Sequence, residues 1–304
     1  MAIDVLVVGS LHYDILVQSD RLPRTGETFP GSHWMTKCGG KGGNQAVEAA
    51  RHGAATAMVA CIGEDEFGGR LLDNLASSRV DTRFVARGKT GSGMSVAISD
   101  PAGDYGAIIV TGSNALIAEA DILAGVAELG PDGILVLQNE VPEAANLIVA
   151  RAARARGARV VINAAPARAL APGLLALIDI LIVNAVEAEM LGSRAVEDLS
   201  SAVTAAAELS ALVPAVIVTA GGDGLALHTA GRGTSIAAHR VALVSTHGAG
   251  DAFVGALAAQ LARGTELEQA MAYANAAAAV LVSTAEAARA ALSPDDTERL
   301  LRQA

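Results

Sequence analysis

The chain has 304 residues, of which 52% are hydrophobic and 3% aromatic, and its formal net charge at pH 7 is −10. This length suits one large α/β domain or two smaller ones, with a core of Ala, Val, Leu and Ile. The acidic balance, without clusters of Lys and Arg, excludes a protein that binds nucleic acid through its phosphate backbone. Cys38 and Cys61 match neither a metal-ligand spacing nor a disulfide scaffold, and indicate a reduced compartment.

Targeting and membrane signals are absent from the sequence. Asp4 interrupts the N-terminal apolar run, so the pattern is not that of a signal peptide. The alanine-rich run 270–282 is too short to cross a bilayer. We therefore expect a cytoplasmic protein without a membrane partner.

The N-terminal residues 3–10 are β-branched and apolar and end at glycine, which predicts a buried parallel strand. The following residues 9–14 lack the G-x-G-x-x-G turn of dinucleotide-binding folds. A hydride-transfer enzyme is therefore disfavoured.

A glycine-rich segment, residues 38–46, surrounds Lys41 and Asn44 and precedes a predicted helix at 45–52. Glycines here would let the backbone approach a ligand closely and present both polar side chains. The segment is not a Walker A loop, because Lys41 is not followed by Ser or Thr. The alternative is a flexible loop that merely begins a helix.

Further along, residues 94–99 and 105–110 flank a turn at 100–104 and predict a hairpin, typical of a lid or a sheet edge. The predicted strand 134–137 ends at a polar cluster that includes Glu140. Ligands bind at the carboxyl ends of parallel strands, although Glu140 could equally be a first-turn helix carboxylate. The predicted strand 179–184 ends at Asn184, followed by Glu187, for which a solvated helix start is the alternative.

The C-terminal part contains a glycine-rich turn at 220–224 and a second one at 245–251. The small residues Gly248, Ala249 and Gly250 leave backbone N–H groups at a helix start free to face an anion. Asp251 then stands where a carboxylate can accept a proton from a hydroxyl during phosphoryl transfer. Its alternative role is that of a helix N-cap.

Both glycine-rich segments resemble the ribokinase-like (PfkB) carbohydrate kinases, whose two signatures are Gly-Gly-Lys-Gly-x-Asn-x-Ala and Gly-Ala-Gly-Asp. They stand in the right order, and the resemblance covers nearly the whole chain. It implies an α/β fold, a three-layer α/β/α sandwich with a mostly parallel sheet. We expect one domain over 1–304 with a small β lid at 12–38 and 93–111, and a homodimer formed through that lid.

The resemblance implies ATP-dependent phosphorylation of a primary hydroxyl, with ribose converted to ribose 5-phosphate, and Mg²⁺ as cofactor. Asp251 would be the general base, and Gly248, Ala249 and Gly250 would form the anion hole. The residues implied to hold the sugar are His12, Asp14, Gly40, Lys41, Asn44 and Glu140. Those implied to lie near the nucleotide are Asn184, Thr219, Gly221, Gly224, His247 and Asn275, with Glu187 contacting Mg²⁺ through water.

Three positions depart from the family pattern. His12 replaces a sugar-binding Asn, and its ring could instead stack on a base, as in a nucleoside or pseudouridine kinase. Ser245 replaces an Asp that helps to hold an activating monovalent cation, and Glu286 stands where a glycine is usual in the C-terminal cation loop. We therefore expect little or no activation by K⁺. A catalytically weak protein that only binds sugar or nucleotide is the alternative of another class.

Overall fold

A computed structural model describes residues 2–101 and 105–303 of the chain. Residues 102–104, in the predicted hairpin turn, lie outside the described residues. The strands are β1 Ile3–Val8, β2 His12–Ser19, β3 Gly31–Gly39, β4 Thr56–Gly63, β5 Asp81–Gly88, β6 Met94–Ser99, β7 Tyr105–Val110, β8 Leu129–Gln138, β9 Arg159–Asn163, β10 Ile180–Asn184, β11 Ala215–Thr219, β12 Gly224–Thr229 and β13 Arg232–Ala237.

The α-helices lie between these strands and after them. They are α1 Lys41–Arg51, α2 Glu66–Ser77, α3 Glu119–Glu128, α4 Glu143–Ala155, α5 Pro172–Leu175, α6 Ala185–Met190, α7 Leu199–Leu209, α8 Ala249–Ala262, α9 Leu267–Val282 and α10 Pro294–Leu301. Short 3₁₀ segments cover Gly112–Leu116, Gly221–Asp223 and Glu286–Ala291. None of the helices in the described part of the chain has the length and apolar character that a bilayer-spanning helix needs.

The main sheet of the described residues has nine strands in the order β13-β12-β11-β10-β9-β8-β1-β4-β5. Neighbouring strands from β5 to β11 are parallel, and β12 and β13 add an antiparallel edge. The chain passes from β1 to β4 on one side and returns to β8 on the other. Ligand sites of open α/β sheets form at such a switch point, outside the carboxyl ends of the strands.

The core lies on both faces of this sheet, because side chains alternate along each strand. On β1, Leu6 and Val8 belong to a cluster that is covered by α3, α4 and α7. Val5 and Val7 belong to the opposite cluster, which is covered by α1, α2, α8 and α9. The predicted three-layer α/β/α class is therefore confirmed.

A second sheet of four strands, in the order β3-β2-β6-β7, is not hydrogen bonded to the main one in the described residues. Its strands lie at the two ranges predicted for the lid, with β3 ending one residue beyond the first range, at Gly39. β2 leaves directly after β1, and β3 leads directly into α1. The start of β2 and the end of β3 are thus both attached to the main sheet layer next to the switch point.

Helix α1 begins at Lys41, four residues before the predicted start at 45. Gly42 and Gly43 therefore lie in its first turn rather than in a loop, and Gly40 is its N-cap. A Cβ on Gly42 would lie 2.6 Å from the Ser10 backbone nitrogen, which is closer than packed atoms come. The glycines thus let α1 begin directly against the end of β1.

Helices α1 and α8 also approach closely, at Gly255 in the middle of α8. A Cβ there would lie 2.5 Å from Glu48 Cβ, 2.7 Å from the Gln45 carbonyl oxygen and 2.8 Å from the Ala49 nitrogen. These neighbours are a Cβ and backbone atoms, so they cannot rotate away. Only glycine allows this helix spacing.

We therefore predict that Gly255→Ala lowers the free energy of unfolding by about 1–3 kcal/mol, the usual cost of overpacking. The matched control is Gly69→Ala in helix α2, where an added Cβ meets no atom within 4 Å. That change should raise stability by about 0.4–1 kcal/mol, because alanine restricts the unfolded chain. Urea titration of both variants measures the difference, and equal effects would contradict the role given to the helix contact.

Candidate functional site

A cavity of about 370 Å³ lies at the carboxyl ends of the central strands, beside the first turns of α1 and α8. This is the switch point of the sheet. Most of the residues predicted for the site line this cavity: His12, Asp14, Gly40, Lys41, Asn44, Glu140, Asn184, Glu187, Thr219, His247, Gly248, Ala249, Gly250 and Asp251.

Asp251 lies in the first turn of α8 and is only 8% exposed. The N-cap of α8 is Gly248, with φ of 82°, so the alternative that Asp251 merely caps the helix is wrong. The carboxylate accepts hydrogen bonds from two amides of α1. Asn44 Nδ2 donates to Oδ2 and Gln45 Nε2 donates to Oδ1, each at 2.9 Å. The carboxylate is therefore oriented by α1 rather than by its own helix.

The pKa of Asp251 reflects two opposed effects. Burial raises it above the usual range of an aspartate, and the Lys41 charge and the two amide hydrogen bonds counteract that rise. Glu140 adds a smaller upward shift. A carboxyl with a raised pKa is a stronger proton acceptor once ionised, and the amides and Lys41 keep the ionised form accessible.

Two glutamines continue the network behind Asp251, a role that the sequence pattern did not indicate. Gln138 Nε2, at the end of β8, donates to Gln45 Oε1 at 2.8 Å, and both side chains are fully buried. Gln45 can therefore turn its amide NH₂ only toward Asp251. Both residues stood in segments singled out for the site, but nothing in their spacing showed that they would meet.

Glu140 connects the end of β1 to the start of α1. Its Oε2 accepts hydrogen bonds from Ser10 Oγ and from the Lys41 backbone N–H, the latter at 2.8 Å. The same oxygen lies 3.8 Å from His12 Nδ1. His12 Nε2 is buried and has no hydrogen-bond partner among the described residues. Glu140 thus holds the glycine-rich segment in place from behind.

On the side of the four-stranded sheet, Asp14 Oδ1 accepts a hydrogen bond from Ser95 Oγ at 2.5 Å. Asn114, which the sequence did not single out, fixes the turn before β2. Its side chain accepts from the Leu11 N–H and donates to the Leu11 carbonyl, both at 2.8 Å. Because Asn114 holds both backbone groups of Leu11, it also orients the next residue, His12.

Asn184 and Glu187 form a capping box at the start of α6. Glu187 Oε2 accepts from the Asn184 N–H, and Asn184 Oδ1 accepts from the Glu187 N–H, each at 2.9 Å. The second Glu187 oxygen accepts no hydrogen bond from the described residues, and both side chains line the cavity. The pair therefore fits a water-mediated contact with a hydrated cation, such as Mg²⁺, besides capping the helix.

Three residues assigned to the nucleotide do not line this cavity: Gly221, Gly224 and Asn275. Gly224 has φ of 124°, and a Cβ there would lie 2.1 Å from the Ile236 carbonyl oxygen, so its glycine serves the β12 to β13 hairpin. Asn275 Nδ2 donates to the Ala237 carbonyl at 2.9 Å and is buried.

A larger cavity of about 670 Å³ adjoins the first one, and the two share the lining residues Asn44, His247, Gly248 and Asp251. On its wall, Lys37 Nζ of β3 pairs with Glu286 Oε1 at 2.9 Å. In the described residues no group of three or more His, Cys, Asp or Glu side chains is arranged to hold a metal ion directly.

Comparison with known proteins identifies relatives over nearly the whole chain. Residues 2–294 match the profile of the pfkB family carbohydrate kinases. The chain is 32% identical to a ribokinase of Haemophilus influenzae, over 91% of each chain, and 32% identical to a ribokinase of Bacillus subtilis, over 98% of this chain and 99% of the other. The structure of Arabidopsis thaliana ribokinase complexed with ribose and ATP superposes with a TM-score of 0.91 at 31% identity, covering 99% of both chains.

Proposed function

Because this chain belongs to the pfkB family of carbohydrate kinases, we propose that it transfers the γ-phosphoryl group of ATP to the primary hydroxyl of ribose. The observation that carries this proposal is the buried Asp251 carboxylate in the first turn of α8, held by Asn44 and Gln45. It lies in a cavity at the switch point of the sheet, between a lysine and a run of small residues.

Asp251 acts as the general base in this proposal. It accepts the proton of the sugar hydroxyl while the hydroxyl oxygen bonds to the γ-phosphorus and the bond to the β-phosphate oxygen breaks, which releases ADP. Each carboxylate oxygen already accepts one amide hydrogen bond and has a further lone pair for the hydroxyl. The fixed carboxylate needs no reorganisation before it accepts the proton.

The loop before α8 stabilises the transferring group. Of the three residues predicted for the anion hole, Ala249 uses its N–H internally, because it donates to the Thr246 carbonyl at 3.2 Å. The backbone N–H groups of Gly248, Gly250 and Asp251 donate to no acceptor among the described residues. They belong to the first turn of a helix of 14 residues, whose dipole favours an anion at this end. Such preoriented donors stabilise charge that develops on the phosphoryl oxygens.

Asp14, Lys41, Asn44 and Glu140 supply the polar groups around the sugar. His12 is only 5% exposed, so its ring offers little surface on which a nucleobase could stack. This burial favours a small sugar over a nucleoside as the acceptor. Asn44 has two roles in this proposal: its side chain contacts the sugar, and its amide NH₂ also orients Asp251.

Glu187 and Asn184 would hold hydrated Mg²⁺ near the phosphates through its water ligands. When bound, the cation neutralises charge on the phosphates during transfer. The protein supplies a buried carboxylate whose orientation is fixed by the capping box.

The four-stranded sheet serves as the lid and as a dimer surface in this proposal. The register places Asp14, Ser95 and Ile109 in one row, and all three line the cavity. The residues that alternate with them face away and are apolar: Ile15, Val17, Trp34, Val96, Ile98 and Ile108. Trp34 and Ile108 are 67% and 72% exposed. A second copy of the chain that packs on this face would remove them from water.

ADP release from Mg-ATP over a panel of pentoses, hexoses and nucleosides tests the function. We expect turnover on ribose to exceed that on the nucleosides. Turnover confined to nucleosides would contradict the assignment and favour base recognition near His12. Thermal stabilisation by sugar or ATP without ADP release would favour the binding-only alternative.

We predict that Asp251→Asn lowers kcat by about 10²–10⁴-fold, the usual contribution of a positioned base. The KM for the sugar should change much less, because the amide side chain keeps the size of the original. The control is Asp132→Asn, an exposed residue on the amino-terminal half of β8. Unchanged turnover of the Asp251 variant in steady-state assays would remove the base assignment.

The pH dependence gives a second test of the same residue. The Lys41 charge lowers the pKa of Asp251, so Lys41→Met should raise that pKa further. Since the reaction needs the ionised carboxylate, the acid limb of kcat/KM should move to higher pH in this variant. Lys89→Met is the control, because Lys89 is exposed and is not among the charges that shift the pKa of Asp251. An acid limb that stays in place, or moves to lower pH, would contradict this electrostatic coupling.

A further inference from the structure

Arg289, in the 3₁₀ segment after α9, makes an unusual set of contacts behind the loop that precedes α8. Its guanidinium donates to three backbone carbonyls: Nη2 to Ser245 at 3.0 Å, Nη1 to His247 at 2.8 Å and Nε to Thr284 at 3.1 Å. No carboxylate of the described residues forms an ion pair with it. Its hydrogen bonds therefore all go to backbone carbonyls, which belong to two different loops. Glu286 and Glu48 are close enough for the Arg289 charge to favour their ionised forms, although each forms its ion pair with another residue.

A cation surrounded by backbone carbonyls is the arrangement by which proteins coordinate K⁺. Here the carbonyls of Ser245 and His247 already accept from a covalently attached cation. Ser245 offers a hydroxyl instead of a carboxylate, and that hydroxyl accepts from the His247 N–H at 3.3 Å. These residues do not fit a free monovalent ion, so the cation implied by the family resemblance has no vacant set of oxygen ligands at this loop.

The position of these carbonyls bears on the site itself. In a trans peptide the carbonyl of one residue and the N–H of the next point in opposite directions. Because the His247 carbonyl points to Arg289, the N–H of Gly248 points away from Arg289. Likewise, because the Ser245 carbonyl points to Arg289, the N–H of Thr246 points away from it. A cation behind the loop thereby orients and polarises the N–H group of Gly248, which lines the site cavity.

We propose that the Arg289 guanidinium is a built-in cation that takes the place of a monovalent metal ion behind the anion-binding loop. Arg289 is a positioning residue in this proposal, because it lines the larger cavity and not the site cavity, and acts on the site through the loop. Glu286 in the same 3₁₀ segment pairs with Lys37 of β3, so the segment that carries Arg289 also contacts the four-stranded sheet. The inference rests on the proposed function for its kinetic test, but not for its structural test.

The structural test is thermal unfolding without sugar or nucleotide, in KCl and in choline chloride at equal ionic strength. Wild type should melt at the same temperature in both salts. Arg289→Ala should melt lower in choline and regain stability selectively in K⁺ or in millimolar guanidinium. The matched control is Arg156→Ala, which removes a guanidinium that donates to the Leu129 carbonyl far from the site, at 3.1 Å. This control should lose stability equally in every salt.

The kinetic test uses ribose and Mg-ATP in the same salts. Wild-type turnover should be independent of K⁺, whereas Arg289→Ala should lose at least about tenfold in kcat, the effect of one charged hydrogen bond or more. Added K⁺ or guanidinium should restore several-fold of that loss, and choline should not. Arg289→Lys keeps the charge with fewer donors and should lie between the two. Where Arg289→Ala does not fold, Arg289→Gln replaces it, because it retains an amide donor without the charge.

Selective stabilisation or activation of wild type by K⁺ would overturn the inference. So would a variant that loses activity yet responds to no cation, since Arg289 would then be only a structural cross-link. The melting measurement involves no acceptor, so a wrong assignment of ribose leaves it interpretable.

Discussion

The structure depends on one hydrogen-bonded contact between two helices, in which Asn44 and Gln45 at the start of α1 hold the Asp251 carboxylate at the start of α8. A buried carboxylate is costly unless donors surround it, so both helices must begin at nearly the same place. The glycines make this possible. Gly42 lets α1 start against the end of β1, and Gly255 lets α8 lie against α1 one turn further on. The catalytic group and the packing of the two helices are thus parts of the same arrangement.

The sequence predicted the fold class and most of the cavity lining, because glycine-rich turns and polar strand ends are local signals. It assigned Lys41, Asn44 and Asp251 to one site, and all three line one cavity, but it predicted the start of α1 at residue 45 rather than at Lys41. It did not reveal which amide pairs with which carboxylate, since Asn44 and Asp251 are 207 residues apart. Long-range pairs such as Gln45 with Gln138, and Asn114 with Leu11, depend on strand order and leave no periodic trace. Gly221 and Gly224 show the limit of local patterns. Both glycines have positive φ beside β12, so a glycine at these positions is required by the backbone and does not by itself indicate a ligand site.

The chain binds anionic substrates in this proposal although its formal net charge is −10. Long-range attraction therefore contributes little, and local donors must supply the affinity. In the proposed function these donors are Lys41, near Asp251, and the N–H groups before α8 that find no acceptor in the described part of the chain. Because the fold fixes the positions of these donors, they can bind an anion only where the transferring phosphoryl group would lie. This arrangement favours one position of the phosphates over general attraction of any anion.

The two glycine-rich segments are held by side chains of opposite charge, Glu140 at the first and Arg289 at the second. Glu140 accepts from the Lys41 N–H, so the backbone donor of the first loop is used internally and its side chains face the ligand. Arg289 donates to the Ser245 and His247 carbonyls, so these backbone acceptors of the second segment are used, whereas the N–H groups of Gly248 and Gly250 have no acceptor among the described residues. A loop that presents side chains suits a sugar with distinct hydroxyls, whereas a loop that presents N–H groups suits a phosphoryl group. In the proposed function the sugar therefore lies beside the first segment and the phosphoryl group beside the second, on either side of Asp251.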